Sequence, residues 1–230
     1  METTKATFPQ ASQVLKLIDD QNPTSEQLQE LIGSGIFCDY FEAKRRGKKI
    51  TREMQRKAFG LEVIQSQKIL EIVGTIVIPA MTEKFIAKEK FIVDTGKKAK
   101  VKIVYLSDNF EKFFLDKIEE SIVKTTLCSN KLLVSSVDDP IISELGGEEK
   151  IETKLSHVFH LISQQPNGEK GVLLVNGWAN IFYVRDKNGN FCAVNACWYG
   201  DGWCLYAYSV GNPCRWRDGG YVFSPQILES

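Results

Sequence analysis

The spacing of hydrophobic positions changes twice along this chain. Up to about residue 60 they recur three and four apart, as Val14, Leu15 and Ile18 in SQVLKLIDD and as Leu28, Leu31 and Ile32 in TSEQLQELIGSG. That is the spacing of one helix face. Thr24 with Gln27 three residues later predicts a capping box, and Gly33 predicts the stop. Thr51 predicts the cap of a further helix over residues 52–59 that ends at Gly60. Helices this short are marginal alone. They are expected to pack on each other or on the remaining chain, with Phe37, Tyr40 and Phe41 supplying part of a small core.

From Gln67 the pattern becomes strand-like. KILEIVGTIVIPA, EKFIAKEKFIVDT and KAKVKIVYLS are rich in Val, Ile and Phe, with Pro79 and Gly96 as punctuation. Asp108 then predicts a helix over NFEKFFLDKIEES, with Glu111 at the reciprocal capping position and Phe110, Phe113, Phe114 and Ile118 as its buried stripe. KLLVSSV predicts another strand, ending at Asp138-Asp139-Pro140. A helix from about Glu148 to Gln164 carries Ile151, Leu155, Val158, Phe159 and Ile162 on one side. His157 and His160 fall on the opposite side and are expected to face solvent.

The third regime, Gly171 to Ser224, holds all four tryptophans, with a turn signal every eight to twelve residues. It reads as an antiparallel meander. Asn188-Gly189 and Asp201-Gly202 supply the positive φ that hairpin turns need. A three-residue loop over 187–189 sets Val184 opposite Cys192 and Phe182 opposite Val194. A four-residue loop over 199–202 sets Cys197 opposite Cys204 and Asn195 opposite Tyr206. Alternation then places Trp178, Phe182, Val184, Val194, Ala196, Trp198, Trp203 and Leu205 on a core face. Ile181, Tyr183, Arg185, Asn195, Tyr206 and Tyr208 fall on the other. Aromatic bodies with polar tips suit a wet or partner-covered surface, so Tyr183, Arg185, Asn195, Tyr206 and Tyr208 form the binding platform this register predicts.

The expected fold is α+β. A small helical module over residues 1–60, with a basic C-terminal segment, precedes an α+β domain over 61–230. In that domain two amphipathic helices pack on one face of an antiparallel sheet that ends in a β-meander.

Composition narrows the function classes. With 230 residues, 43% hydrophobic, the chain can bury real cores, and Lys plus Arg equals Asp plus Glu at 29 each, so no global field favours nucleic acid or membrane. The polar start METTKATFPQASQ and the lack of an apolar run near the ~18 residues of a membrane span predict a cytoplasmic protein without a membrane partner. One local patch departs from neutrality. KRRGKKITREMQRK sets Lys44, Arg45, Arg46, Lys48, Lys49, Arg52, Arg56 and Lys57 against Glu53 alone, a charge density that suits a phosphate backbone or another polyanion.

Catalytic signatures are sparse. Phe91-Ile92-Val93-Asp94-Thr95-Gly96 has the apolar-apolar-Asp-Thr-Gly form of single-lobed aspartic proteases, which would require a dimer so that two carboxylates share a proton. Lys97 and Lys98 follow directly and no flap-like hairpin comes next, so Asp94 is expected to close a turn. Four of the six cysteines, Cys192, Cys197, Cys204 and Cys214, lack the paired close spacing of structural zinc sites. Cys192 and Cys197 also point to opposite sheet faces, so they are read as reduced packing thiols. Neither metal nor cofactor is expected.

LEIVGTIVIPAMTEKFIAKEKFIVDT, AKVKIVYLSDNF, PIISELGGEEKIETKL, GWANIFYVRDKNG and WYGDGWCLYAYSVGNP together resemble a recurrent family of hypothetical proteins encoded by candidate-phyla, Parcubacteria-type bacteria. The likeness spans roughly Leu70 to Ser224. It implies a bacterial context and carries no catalytic or ligand-binding role onto any position. The functional expectation therefore rests on the residues: a non-enzymatic recognition protein with a protein partner on its aromatic sheet face. The alternatives are a nucleic-acid-associated protein using residues 44–57 and a dimeric protease using Asp94.

Overall fold

The computed structural model describes residues 8–48, 50–61, 68–211 and 214–226. They belong to two compact units, Met1–Gln67 and Lys68–Ser230. The division falls at Gln67 rather than at residue 60.

The first unit is helical as the periodicity predicts: α1 (Phe8–Asp19), α2 (Ser25–Gly33), α3 (Ile36–Arg45) and α4 (Arg52–Ala58). The Thr24 hydroxyl accepts from the Gln27 N–H at 3.2 Å and the Gln27 side chain accepts from the Thr24 N–H at 2.9 Å, which closes the capping box of α2. Thr51 caps α4 through the Met54 N–H at 3.2 Å. The expected small core is not closed. Phe37, Tyr40 and Phe41 stay exposed, and neither α2 nor α3 buries a residue. Helices of nine and ten residues each offer too narrow an apolar stripe to enclose a ring from every side.

The second unit runs β1 (Leu70–Ile78), β2 (Phe85–Ile86), α5 (Ala87–Lys90), β3 (Ile103–Leu106), α6 (Asp108–Phe114), β4 (Ile118–Glu119) and β5 (Thr125–Leu132). It continues with α7 (Asp138–Glu144), α8 (Glu148–Ile151), α9 (Leu155–Ser163), β6 (Asn180–Arg185), β7 (Phe191–Trp198), β8 (Trp203–Ser209) and β9 (Tyr221–Pro225). Seven strands form one sheet in the order β1-β5-β9-β6-β7-β8-β3, and β2 pairs with β4 apart from it. The sheet is mostly antiparallel; β3 beside β8 and β6 beside β9 are parallel. The class is α+β, as expected.

The hairpin register is the expected one, and Gly189 supplies positive φ in the first turn, but in the second the positive φ lies at Gly200 (81°) and not at Gly202. Val184 pairs with Cys192, Phe182 with Val194, Cys197 with Cys204 and Asn195 with Tyr206. Phe182, Val184, Val194, Ala196, Trp198, Trp203 and Leu205 all lie in one core. Trp178 does not join them, since it precedes β6 and is 38% exposed.

Helices cover both faces of the sheet, not one. Phe110 and Phe114 of α6 and Leu155, Val158, Leu161 and Ile162 of α9 pack on the face that carries Phe182 and Trp203. Ile141 and Ile142 of α7 and Ile151 of α8 pack on the opposite face, against Ile181, Tyr183 and Val222. The long helix expected over 148–164 is split between α8 and α9. Thr153 bonds the Tyr183 carbonyl twice, through its N–H at 2.7 Å and its hydroxyl at 3.0 Å, and this draws the chain onto β6 between the two helices. The split changes the helical phase. His157, expected in solvent, is 3% exposed in the first turn of α9, and His160 is half-buried.

Two further expectations change. EKFIAKEKFIVDT forms only the short β2, then α5 and an irregular run. Ser107, not Asp108, caps α6 through the Phe110 N–H at 3.2 Å. That helix ends at Phe114, which leaves Ile118 on β4 and 57% exposed rather than in a buried stripe.

Candidate functional site

The predicted platform divides where α7 and α8 end. Tyr183 is fully buried beneath them, and its hydroxyl donates to Asp138 Oδ1 at 2.7 Å. It cannot meet a partner, so its place on the platform is corrected. Arg185 is likewise engaged internally. Its guanidinium pairs with Glu148 and Glu152, each at 3.1 Å, and lies over the Phe191 ring. Alternation puts Tyr183 and Arg185 on the right face, but the same face is where α7 and α8 find apolar surface to cover.

The remaining platform residues stay accessible to differing degrees. Tyr206 and Tyr208 are half-buried, while Asn195 is 8% exposed and its Oδ1 has no hydrogen-bond partner. Tyr105, which sequence reasoning did not single out, joins them from β3 at 44% exposure. The rings form a ladder. Tyr105 and Tyr206 lie 5.4 Å apart, Tyr206 and Tyr208 stack at 6.5 Å, and Tyr208 meets the edge of Trp216 at 5.4 Å.

β3 can reach β8 because Gly202 has no side chain. A Cβ there would lie 2.2 Å from Val104 Cγ1 and 3.0 Å from the Lys102 carbonyl oxygen. The Trp203 N–H donates to that carbonyl at 2.7 Å and the Ser107 N–H to Leu205 O at 2.9 Å, which fixes β3 and with it Tyr105. The place of Gly202 in a loop was legible. Its second role, as the contact point of a strand nearly a hundred residues earlier, has no local signature.

The Cys197 and Cys204 thiols and the Tyr199, Tyr206 and Tyr208 hydroxyls are all shifted toward their neutral forms. Burial pushes the Cys197 thiol up to about 11 and raises Cys204. The hydrogen bond with Cys197 and the Coulombic effect of that thiol, with some burial, push the Tyr199 hydroxyl up to about 12. Burial also raises Tyr206 and Tyr208. Ring faces and neutral hydroxyls are what a partner would meet there.

The other predicted residues lie elsewhere. Lys44, Arg45, Arg46, Lys48 and Lys57 are exposed and Arg56 is half-buried. Arg46 pairs with Glu42 one turn earlier. Lys49 and the side chain of Arg52 lie outside the described residues. Asp94 is exposed and its Oδ1 accepts from the Gly96 N–H at 2.8 Å, the turn-closing arrangement expected for it. The six cysteines are free thiols. Among the described residues no group of three His, Cys, Asp or Glu side chains is placed to hold a metal ion, and no helix is long and apolar enough to cross a membrane.

No family model, curated protein or solved structure matches the chain.

Proposed function

We propose that this chain is a non-enzymatic recognition protein whose Lys68–Ser230 unit presents Tyr105, Asn195, Tyr206 and Tyr208 to a protein partner, in a bacterial cytoplasm. The observation that carries the reading is the ring ladder left open beside the helices that cover the rest of that face. Flat, neutral rings on a hydrogen-bonded sheet lose little freedom on binding and offer area together with hydroxyl contacts. An extended, uncharged peptide segment fits this chemistry, with proline or aliphatic side chains against the rings. Selection from a random peptide library tests it. Sequences enriched by the wild type should bind a Tyr206→Ala, Tyr208→Ala variant at least about tenfold more weakly. Equal enrichment by both proteins would remove the ladder as a recognition surface.

A second reading makes the chain a nucleic-acid-associated protein, supported by the exposed Lys44, Arg45, Lys48 and Lys57 of the helical unit. It requires a gel shift at low salt that fades steeply as salt rises. No shift at micromolar protein would end it.

A further inference from the structure

A cleft of about 590 Å³ opens at the N-terminal end of α9. Glu120, Ser121 and Thr125 join Lys117, Glu119, Glu152, Lys154 and His157 in its polar wall, and Ile118, Ile122, Val123 and Pro225 form its apolar one. Its size falls within the range of small-molecule sites.

The carboxylates of the polar wall are already engaged, Glu120 by Lys84 at 2.9 Å. Glu119, 7% exposed, accepts from the Leu155 N–H at 2.8 Å, the Ser156 N–H at 2.9 Å and the Ser156 hydroxyl at 2.6 Å, and faces Lys117 Nζ at 3.6 Å. Glu152 is taken by Lys154 at 3.0 Å and by Arg185 at 3.1 Å. His157 Nδ1 accepts from the Lys154 N–H at 3.2 Å. A neutral imidazole that accepts at one nitrogen carries its proton on the other. The Nε2–H is therefore a buried donor, and no group in the protein receives it. Lys117 donates to the Arg185 carbonyl and faces Glu119, and Lys154 uses one of its three protons on Glu152. What the buried His157 Nε2–H lacks is an acceptor.

An ionised carboxylate accepts at two oxygens and donates nothing. We propose that this cleft binds a small organic acid, its carboxylate held by His157 Nε2–H with Lys154 and Lys117 beside it, and its apolar body along Ile118, Ile122 and Val123. The cationic side chains supply charge, while the buried imidazole, which cannot follow a ligand out into solvent, sets position.

Hexanoate, octanoate and decanoate serve as probes on the intact chain, read by calorimetry and by the imidazole ¹⁵N signals of His157. Saturable binding that moves the His157 Nε2 signal is expected. His157→Asn keeps an acceptor near the Nδ1 position and loses the Nε2 donor, so it should weaken octanoate by about tenfold. His157→Gln, which places an amide near Nε2, should retain most of the affinity. Lys154→Met, at an exposed side chain, should weaken binding several-fold whether or not the histidine variants fold. Octanamide, with the same body and no charge, should bind about tenfold more weakly than octanoate. The proposal is overturned if no acid shifts the His157 signals saturably, if octanamide matches octanoate, or if Lys154→Met and His157→Asn both bind octanoate like the wild type.

Discussion

The two faces of the seven-stranded sheet share every strand and differ in how they are closed. On one, α9 and α6 bring phenylalanines into an edge-to-face cluster, with Phe91 5.1 Å from Phe110 and 5.4 Å from Phe159, while Phe182 and Phe223 stack at 4.6 Å on the sheet. On the other, α7 and α8 are seven and four residues long and seal only part of the surface. That shorter cover is tied down by polar atoms. Asp138 Oδ1 accepts from both Tyr183 OH and Trp216 Nε1 at 2.7 Å, and Asn130 donates to Val222 O at 3.0 Å. A tyrosine whose hydroxyl is answered from within the chain, as at Tyr183, is structural. Tyr206 and Tyr208, beyond the reach of α7 and α8, keep half-buried rings.

The largest test of this contrast is Trp203→Ala on the sealed face. The indole is fully buried and its Nε1–H donates to Gln165 O at 2.8 Å. Its removal should cost ~3–5 kcal/mol in urea denaturation. If the loss is near 1 kcal/mol, the two faces are not energetically distinct.

Next comes acid sensitivity at His157. Burial holds its imidazole down to about 4, from an ordinary 6.5. The unfolded chain takes up a proton near 6.5 that the folded chain refuses until about 4, so stability is lost as pH falls between those values. The loss is as much as ~3 kcal/mol at ~1.4 kcal/mol per unit. Urea midpoints stepped from neutrality down to about pH 4 should fall in the wild type and fall less in His157→Gln.

Asp138 should act in the opposite sense, because burial raises its carboxyl above the usual range. The folded state then keeps the proton longer, and this contribution is lost as pH rises through the raised value. Asp138→Asn leaves a carbonyl for Tyr183 and Trp216 and should remove that slope. Tyr183→Phe takes one donor from the buried carboxyl and should cost ~1–3 kcal/mol at neutral pH. The smallest effect is expected on the open part of the same face. Tyr206→Ala should cost only about 1 kcal/mol while removing peptide binding. A Tyr206→Ala loss as large as that of Trp203→Ala would mean the ladder is core.

Legibility in the sequence tracked locality. The β6-β7-β8 register could be read because glycines mark both loops, and alternation does the rest, although the positive φ of the second loop falls at Gly200 instead of Gly202. The capping box at Thr24 and the cap at Thr51 were legible for the same reason. The errors came from distant partners. Nothing near Thr153 is a helix breaker; the break depends on the Tyr183 carbonyl, thirty residues away. His157 looked solvent-facing on a helical wheel that assumed one helix, and Glu119 of another element occupies the helix start beside it. Of the five platform residues read from alternation, Tyr206 and Tyr208 stay partly open and Asn195 is nearly closed, while Tyr183 and Arg185 are taken up by α7, α8 and the turn after them, whose docking depends on tertiary packing.

β9 has a consequence for how the molecule is made. It lies between β5 and β6, pairing antiparallel with the one and parallel with the other, and so joins the β1-β5 pair to the β6-β7-β8-β3 group. It is also the last of the described strands to leave the ribosome. Until Tyr221–Pro225 emerges the nascent chain holds two half-sheets with facing unpaired edges, Asn130 has no Val222 to bond and Phe182 has no Phe223 to stack on. Closure of the sheet thus waits until β9 has been made, and the interval before it is when a chaperone, or a neighbouring nascent copy, would find those edges.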